Sequence, residues 1–391
     1  GYMSTGVLEM SNVDLSADGW SWTASSGTVA GRIFTPSEGE SVTLTFNPAS
    51  STCAPSTSFP MALKTPNIPN ASDYNFIWRG GTASHLTDWN TTSNWFVYSN
   101  GDYSIATAMP TRESNIFIGA ADCVTSNWPS QTNEANAHNL TIASGASLTV
   151  PTDMTLNIAG NLDNTGTLDA SDGTVVFCGP SSNGGNQTIS HDITFGNVIF
   201  YNQGGDIVPS GNVTINGAAT FKDGVVKHDV TFGADARVAD AGIMTYNSFV
   251  EGKVTKTGSA QGFTFPTGKD NVLGKIKATS DAENVSVQYF RNSAGFTQAE
   301  IPRWWNINDM CSNNNPQLDH VSNVEYWDVA TTLGIEAVLT VSAADGSAHF
   351  NSNTSTHEAD DIYGAFWSGS CWENIGGYAS PIERPYGTIS V

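Results

Sequence analysis

Apolar residues in this chain rarely recur at helical spacing. They alternate with polar ones over three to five residues and then stop at Gly, Asn, Asp, Ser or Pro. Short alternation of that kind marks half-buried strands. Residues 1–52 show it in Val42-Thr43-Leu44-Thr45-Phe46. Residues 53–72 carry Pro55, Pro60, Pro66 and Pro69 and read as an extended boundary. Residues 73–130 are rich in Trp and Asn. Between 131 and 250, short strands punctuated by Gly and Asn follow one another. From about residue 251 the strands lengthen and aromatic residues return, which is the spacing of a β-sandwich.

The middle stretch repeats. Asn139-Leu140-Thr141-Ile142 matches Asn197-Val198-Ile199-Phe200. Leu148-Thr149-Val150-Pro151 matches Asp206-Ile207-Val208-Pro209. Leu156-Asn157-Ile158 matches Val213-Thr214-Ile215. The offsets are 58, 58 and 57 residues (198 − 140, 209 − 151, 213 − 156). Strands this short cannot bury a core alone, but stacked coils of ~20 residues can, and three such coils fill one period. The fold expected is all-β: a parallel β-solenoid (β-helix) over 131–250, then an antiparallel β-sandwich over 251–391. A smaller N-terminal β region with its Pro-rich linker covers 1–72, and 73–130 caps the solenoid. Leu140, Ile142, Leu148, Val150, Leu156, Ile158, Val198, Phe200, Val208, Val213 and Ile215 should point inward. The rival reading is an antiparallel sandwich with coincidental similarity.

Composition narrows the function. The chain has 391 residues, only 13% of them charged, with 37 acids against 15 bases and a formal net charge of −22. Exposed helices use Glu, Lys and Arg, so the low charge again favours strands. A chain this acidic repels phosphate backbones and anionic lipid, which argues against nucleic-acid partners. No apolar run is long enough for a membrane helix, so no membrane insertion is expected.

The cysteines are Cys53, Cys123, Cys178, Cys311 and Cys371. None forms a CxxC pair, which removes zinc-ribbon and thioredoxin readings. If the protein is secreted, one or two bridges are open, and Cys311 with Cys371 is the favoured pair because both fall in one proposed domain. Cys178, in Val175-Val176-Phe177-Cys178, reads as a small buried hydrophobe. Gly1-Tyr2-Met3-Ser4 lacks the basic start and apolar stretch of a signal peptide.

Three groups of residues together carry a resemblance. The first is Trp78-Arg79-Gly80-Gly81 with Asp88-Trp89-Asn90, Asn94-Trp95 and Met109-Pro110-Thr111. The second is Asn139-Leu140-Thr141-Ile142 with Gly145-Ala146-Ser147-Leu148-Thr149-Val150, Gly160-Asn161-Leu162 and Gly166-Thr167-Leu168. The third is Val250-Glu251-Gly252-Lys253-Val254 with Phe263-Thr264-Phe265-Pro266-Thr267-Gly268, Glu325-Tyr326-Trp327-Asp328 and Phe366-Trp367-Ser368-Gly369 before Trp372. As an ordered set over residues 76–391 they resemble the large repetitive surface proteins exported by the type IX secretion system of Bacteroidota. That group includes adhesin-like and gliding-associated proteins. The resemblance implies a secreted, cell-surface location and a repetitive architecture, and no reaction. It places Trp78, Trp89 and Trp95 in the cap of the solenoid, where the alternative is stacking on sugar rings. The family's C-terminal sorting domain has no counterpart here, and residues 1–70 match no part of the pattern. Both departures suggest a processed product or a segment of a longer chain.

Candidate chemistry is sparse. No histidine makes HExxH or neighbours a GxSxG elbow. Glu358, Asp360 and Asp361 form an acidic cluster that suits a hard cation, with a solvated loop as the plainer reading. Asp14, Ser16 and Asp18 copy the first half of a calcium loop, but Ser25 stands where the bidentate Glu belongs, so an Asp-Gly turn competes. No cofactor is expected, and calcium is the metal weighed for these oxygens against plain solvated turns. A polysaccharide lyase or hydrolase would need an acid–base pair on one face; Asp169 and Asp172 flank one turn and Asp235 and Asp240 another, and Asp169 and Asp172 suit turn positions before Gly173. In Trp304-Trp305, neighbouring strand residues face opposite ways, so one is exposed for carbohydrate or partner contact. Trp327 and Trp372 read as sandwich core. Seven Asn-x-Ser/Thr sequons include Asn139 and Asn212, where a glycan would obstruct stacking.

The function expected is that of a non-enzymatic, extracellular structural or adhesive surface protein, a filament-forming subunit or a segment of a giant adhesin. A carbohydrate-binding module is the alternative, and a polysaccharide lyase or hydrolase stands behind it. The partners expected are other copies of the chain, other surface proteins or extracellular polysaccharide. An incomplete sandwich would accept residues 1–12 of another copy as a strand.

Overall fold

The computed structural model describes side chains at 73–80, 85–98, 104–119, 127–179, 185–291, 310–314, 318, 321, 325–340 and 363–376. It describes backbone alone for the strands at 7–10, 21–24, 28–30, 33–35, 44–47, 61–64 and 386–390 and at 99, 102–103 and 341–342. The fold is all-β. Residues 116–256 form a parallel β-solenoid of about six turns, and antiparallel sheets follow it. Two compact units divide the chain, residues 1–169 and 170–391.

In the first unit, Val7–Met10 lies between Ile33–Thr35 and Met61–Lys64, antiparallel to both. Both of its edges are therefore filled within the chain, and donation of residues 1–12 to another copy would require that sheet to open. Phe76–Trp78 begins the parallel stack against Ile116–Ile118. Leu140–Ile142 and Leu162–Asn164 follow in register. Ala135–Ala137 pairs with Thr155–Ile158, and Ser147–Thr149 with Thr167–Asp169, so each coil has three strands at three corners.

The cap forms on this stack. Trp95–Ser99 runs antiparallel to Phe76–Trp78 and hands over to Asp102–Ile105. Trp78, Trp89 and Trp95 are 3%, 1% and 0% exposed. Their rings meet edge to face, Trp95 lying 4.9 Å from Trp78 and 4.6 Å from Trp89 between centroids. Two indole N–H groups are satisfied by backbone, Trp78 Nε1 on Asn127 O and Trp95 Nε1 on Trp89 O, each at 2.8 Å. Of the two roles these tryptophans had from sequence, cover for the core is the one they fill; no ring face is open to a sugar.

In the second unit one column of strands is Ile193–Phe195, Val213–Ile215, Val230–Phe232 and Val254–Thr257, all parallel. Successive coils take 20, 17 and 24 residues (213 − 193, 230 − 213, 254 − 230). Phe177, Phe195, Phe200, Phe221 and Phe232 fill the interior without exposure. Val254–Thr257 also pairs antiparallel with Asn284–Phe290, which in turn pairs with Tyr326–Thr331. The solenoid thus runs a few residues past 250 and ends where strand direction reverses. Phe263–Phe265, Ile276–Thr279, Glu336–Ser342 and Tyr386–Ser390 make a second antiparallel sheet. Trp327 donates Nε1–H to Gly274 O at 2.7 Å, and Trp372 packs 5.4 Å from Trp367. Both Trp327 and Trp372 are half-buried rather than core.

Ten of the eleven residues expected inward are buried. Val208 is the exception: Ile207 and Pro209 point in and Val208 points out. A one-residue slip in alignment reverses every facing in a strand. The 58-residue match is also not three whole coils. Leu140–Ile142 is the second strand of its coil, whereas Asn197–Tyr201 is the first of its own. Strands on all three sides share one apolar-polar-apolar form, so similarity alone does not distinguish them. Cys178 is half-buried, because Val175 and Phe177 take the inward positions on that strand.

The corners are held by side-chain amides. Asn75, Asn115, Asn139 and Asn161 each precede an inward apolar residue on one side of the first unit. Asn115 N–H donates to Asn75 Oδ1 at 2.5 Å, Asn139 Nδ2 to Asn115 Oδ1 at 2.9 Å, and Asn161 N–H to Asn139 Oδ1 at 2.7 Å. A short amide side chain suits this corner because it reaches the backbone one coil away. Asn139→Ala should therefore lower stability by about 0.5–1.5 kcal/mol, the net worth of an ordinary hydrogen bond, since water can replace the lost partner at the exposed Asn161 N–H. Urea unfolding checks this; an unmoved midpoint would contradict the ladder.

Candidate functional site

Several sequence candidates lie outside the described residues: Asp14, Ser16, Asp18, Trp304, Trp305, Glu358, Asp360 and Asp361. Among the described residues no group of three or more His, Cys, Asp or Glu could hold a metal ion. Asp169, Asp172, Asp235 and Asp240 all face solvent, and Asp240 adopts a left-handed turn conformation at φ 51°.

Cys311 and Cys371 form a disulfide, with Cα atoms 5.2 Å apart. Their neighbours bind as well: Cys311 N–H donates to Trp372 O at 3.0 Å, Asn314 Nδ2 to Trp372 O at 2.9 Å, and Asn374 N–H to Asn314 Oδ1 at 2.8 Å. A structural bridge of this kind points to an oxidising, extracytoplasmic compartment. No helix among the described residues is long and apolar enough to cross a membrane.

The most regular outward surface belongs to the column from Ile193 to Thr257. Its strands read Asp192-Ile193-Thr194-Phe195-Gly196, Asn212-Val213-Thr214-Ile215-Asn216, Asp229-Val230-Thr231-Phe232-Gly233 and Lys253-Val254-Thr255-Lys256-Thr257. Odd places alternate outward, so three polar columns result. Thr194 pairs with Thr214, Thr214 with Thr231, and Thr231 with Thr255. The antiparallel strand beyond adds Ser286 opposite Thr255, their hydroxyls 2.9 Å apart, and the row ends at Ala330. Thr194 is exposed; the other four hydroxyl residues are half-buried by their own neighbours.

Beside the threonines runs the acidic corner. Asp192 Oδ1 accepts both the N–H and the Nδ2 of Asn212, at 2.7 and 3.1 Å, and Asp229 Oδ1 accepts the Lys253 N–H at 2.7 Å. His191 and His228 each precede one of these aspartates. Between them the places are glycine: a Cβ on Gly211 would stand 2.4 Å from the His191 carbonyl carbon, and one on Gly252 2.5 Å from His228 O. The sequence signal for this surface was the near-identical pair His191-Asp192-Ile193-Thr194-Phe195-Gly196 and His228-Asp229-Val230-Thr231-Phe232-Gly233. It was overshadowed by the 58-residue match.

Lys256 breaks the pattern, because it occupies an inward place and is 3% exposed. Its ammonium donates to Gly233 O, Ala234 O and Thr257 O at 2.9, 2.7 and 2.7 Å, closing carbonyls of the last turn. Burial lowers its pKa, against the opposing pull of Asp235. On another corner, Lys227 Nζ meets Glu251 Oε2 at 2.9 Å and Asp206 Oδ2 at 3.6 Å.

Three carboxylates are held below their ordinary range. At Asp192 the Asn212 backbone N–H is the main cause. Burial pushes Asp88 up, but the hydroxyls of Thr132 and Thr91 and the Asn90 N–H outweigh it. Burial likewise pushes Glu251 up, and Lys227 outweighs it. A folded pKa below the unfolded one contributes stability that is present above the unfolded value and lost as pH falls through the folded one. The melting temperature should hold from pH 7 down to about 5 and fall below about 4, near the unfolded carboxylate values. Asp88→Asn should flatten part of that acid limb in scanning calorimetry; an identical limb would contradict the assignment.

No known protein family, no curated protein and no solved structure matches this chain.

Proposed function

We propose that the chain is a non-enzymatic, extracellular structural or adhesive protein of the cell surface, acting as a filament-forming subunit or as part of a giant adhesin. The observation that carries this reading is the solenoid itself: coil after coil is closed by backbone ladders and amide corners, while its outward residues form repeating polar columns. Such a surface offers many equivalent contacts along one direction, which suits attachment better than turnover of one bond. The Cys311–Cys371 bridge supports a location outside the cytoplasm, and a net charge of −22 keeps the chain clear of nucleic acid and anionic lipid. The partners proposed are other surface proteins, further copies of the chain, or extracellular polysaccharide.

A carbohydrate-binding module is the second reading, favoured by the row of hydroxyls from Thr194 to Ser286. The surface reading is tested by displaying the chain on a non-adherent bacterium and counting cells retained on polysaccharide-, protein- and cell-coated plates under flow. Retention above that of the undisplayed strain is the expected result; equal wash-off on every coating would overturn it.

A further inference from the structure

We infer that the face carrying Thr194, Thr214, Thr231, Thr255 and Ser286 binds an extended, uncharged hexose polymer laid along the stack of coils, one sugar to each rung. The inference rests on the adhesive reading above and gives it a ligand class and a site. Its first ground is periodicity. Adjacent strands are ~4.8 Å apart in any β-ladder, of the same order as the advance per residue of an extended β-1,4-linked hexose chain, so over a short row neighbouring sugars can meet neighbouring rungs, alternate sugars presenting opposite edges. Its second ground is uniformity. Outward places elsewhere in the same unit are mixed: Val176, Ile199, Thr220 and Ala239 on one side, Thr188 and Val208 on another. Outward strand places accept Val, Ile or Tyr as readily as Thr, so strand formation alone does not require five hydroxyls in a row.

Each threonine rung offers a hydroxyl that donates and accepts and a methyl for the C–H side of a sugar ring. The column beside it adds the carboxylates Asp192 and Asp229, which accept the backbone N–H groups of Asn212 and Lys253, and it ends at the exposed Lys253 side chain. These carboxylates, in a chain of net charge −22, disfavour an acidic polymer. The three columns are polar or glycine, so the face lacks the large apolar anchors of a protein interface. Binding here is therefore weak per rung and accumulates along the row.

The test uses the full chain with β-1,4-linked glucose and mannose oligomers of two to eight residues, followed by calorimetry. Affinity should rise with length and level off at about five residues, the number of hydroxyl rungs. Thr214→Val with Thr231→Val keeps shape and strand preference but removes two hydroxyls; affinity should fall about tenfold or more with the unfolding midpoint unchanged. Tyr246→Ala, at an exposed residue outside these columns, should bind as the parent does. Length-independent binding, parental affinity in the double valine variant, or no binding of any oligomer would overturn the assignment. Cells displaying the chain that still adhere to protein-coated plates while no oligomer binds would overturn this face alone and leave the surface reading standing.

Discussion

Replacing Trp95 by Ala should cost about 3–5 kcal/mol, the range for removing a large buried aromatic side chain. Trp95 is fully buried, and it joins Trp78 and Trp89 through edge-to-face contacts. Phe76 adds a fourth ring at 6.3 Å. The indole also donates to Trp89 O, so the truncation orphans a backbone acceptor as well as opening a cavity. The strand beginning at Trp95 pairs with Phe76–Trp78, the outermost parallel strand of the first unit, so the loss falls where the stack would otherwise expose its end. Trp95→Phe should recover part of the loss, since it restores ring contact but not the N–H. Equilibrium unfolding in urea measures both. A change below about 1 kcal/mol for Trp95→Ala would mean that the cap is not what closes the stack.

The second large effect is on the other unit. Opening the Cys311–Cys371 bridge frees a loop with a sequence separation of 60. In the chain-entropy account a loop of that size is worth about 4 kcal/mol, through the freedom returned to the unfolded chain. At about 2–4 °C per kcal/mol for a unit of this size, the melting temperature should fall by about 10 °C. Cys311→Ser with Cys371→Ser should reproduce the effect of reduction, and reductant should then have no further effect on the variant. The hydrogen bonds that the Cys311 N–H and the Asn314 side chain make to Trp372 O, and the Asn374 N–H to Asn314 Oδ1, remain available after reduction, so the native fold should persist at low temperature. An unchanged melting temperature under reductant would show that these contacts, and not the bridge, fix the segment.

Much of the fold was legible because strand and solenoid leave a local trace. The apolar-polar-apolar triplets Leu140-Thr141-Ile142 and Val213-Thr214-Ile215 report their inward residues directly. The tryptophans of 73–130 report a cap because such side chains need a dry place. The Cys311–Cys371 pair was legible as well. Which side of a coil a triplet occupies was not legible, since that depends on the summed length of the loops before it. Coils of 20, 17 and 24 residues carry no fixed period to count. Val208 failed for the same reason, by one residue.

The polar face was half legible. Thr194, Thr214, Thr231 and Thr255 are ordinary outward strand residues one by one. Only the pairing shows that they stand in one row and that Ser286 of an antiparallel strand extends it. Lys256 was not legible as a buried residue, because its place is set by the carbonyls of Gly233 and Ala234 that it closes.

In the function proposed, this chain holds rather than transforms what it meets. The most direct measurement incubates the full chain with a panel of neutral polysaccharides and records, from the same tubes, protein retained on the polymer and new reducing ends released. The account predicts retention with no reducing ends above the protein-free blank, at any pH from 5 to about 8, where the carboxylates are ionised. Reducing ends that increase with time and with protein concentration would contradict it.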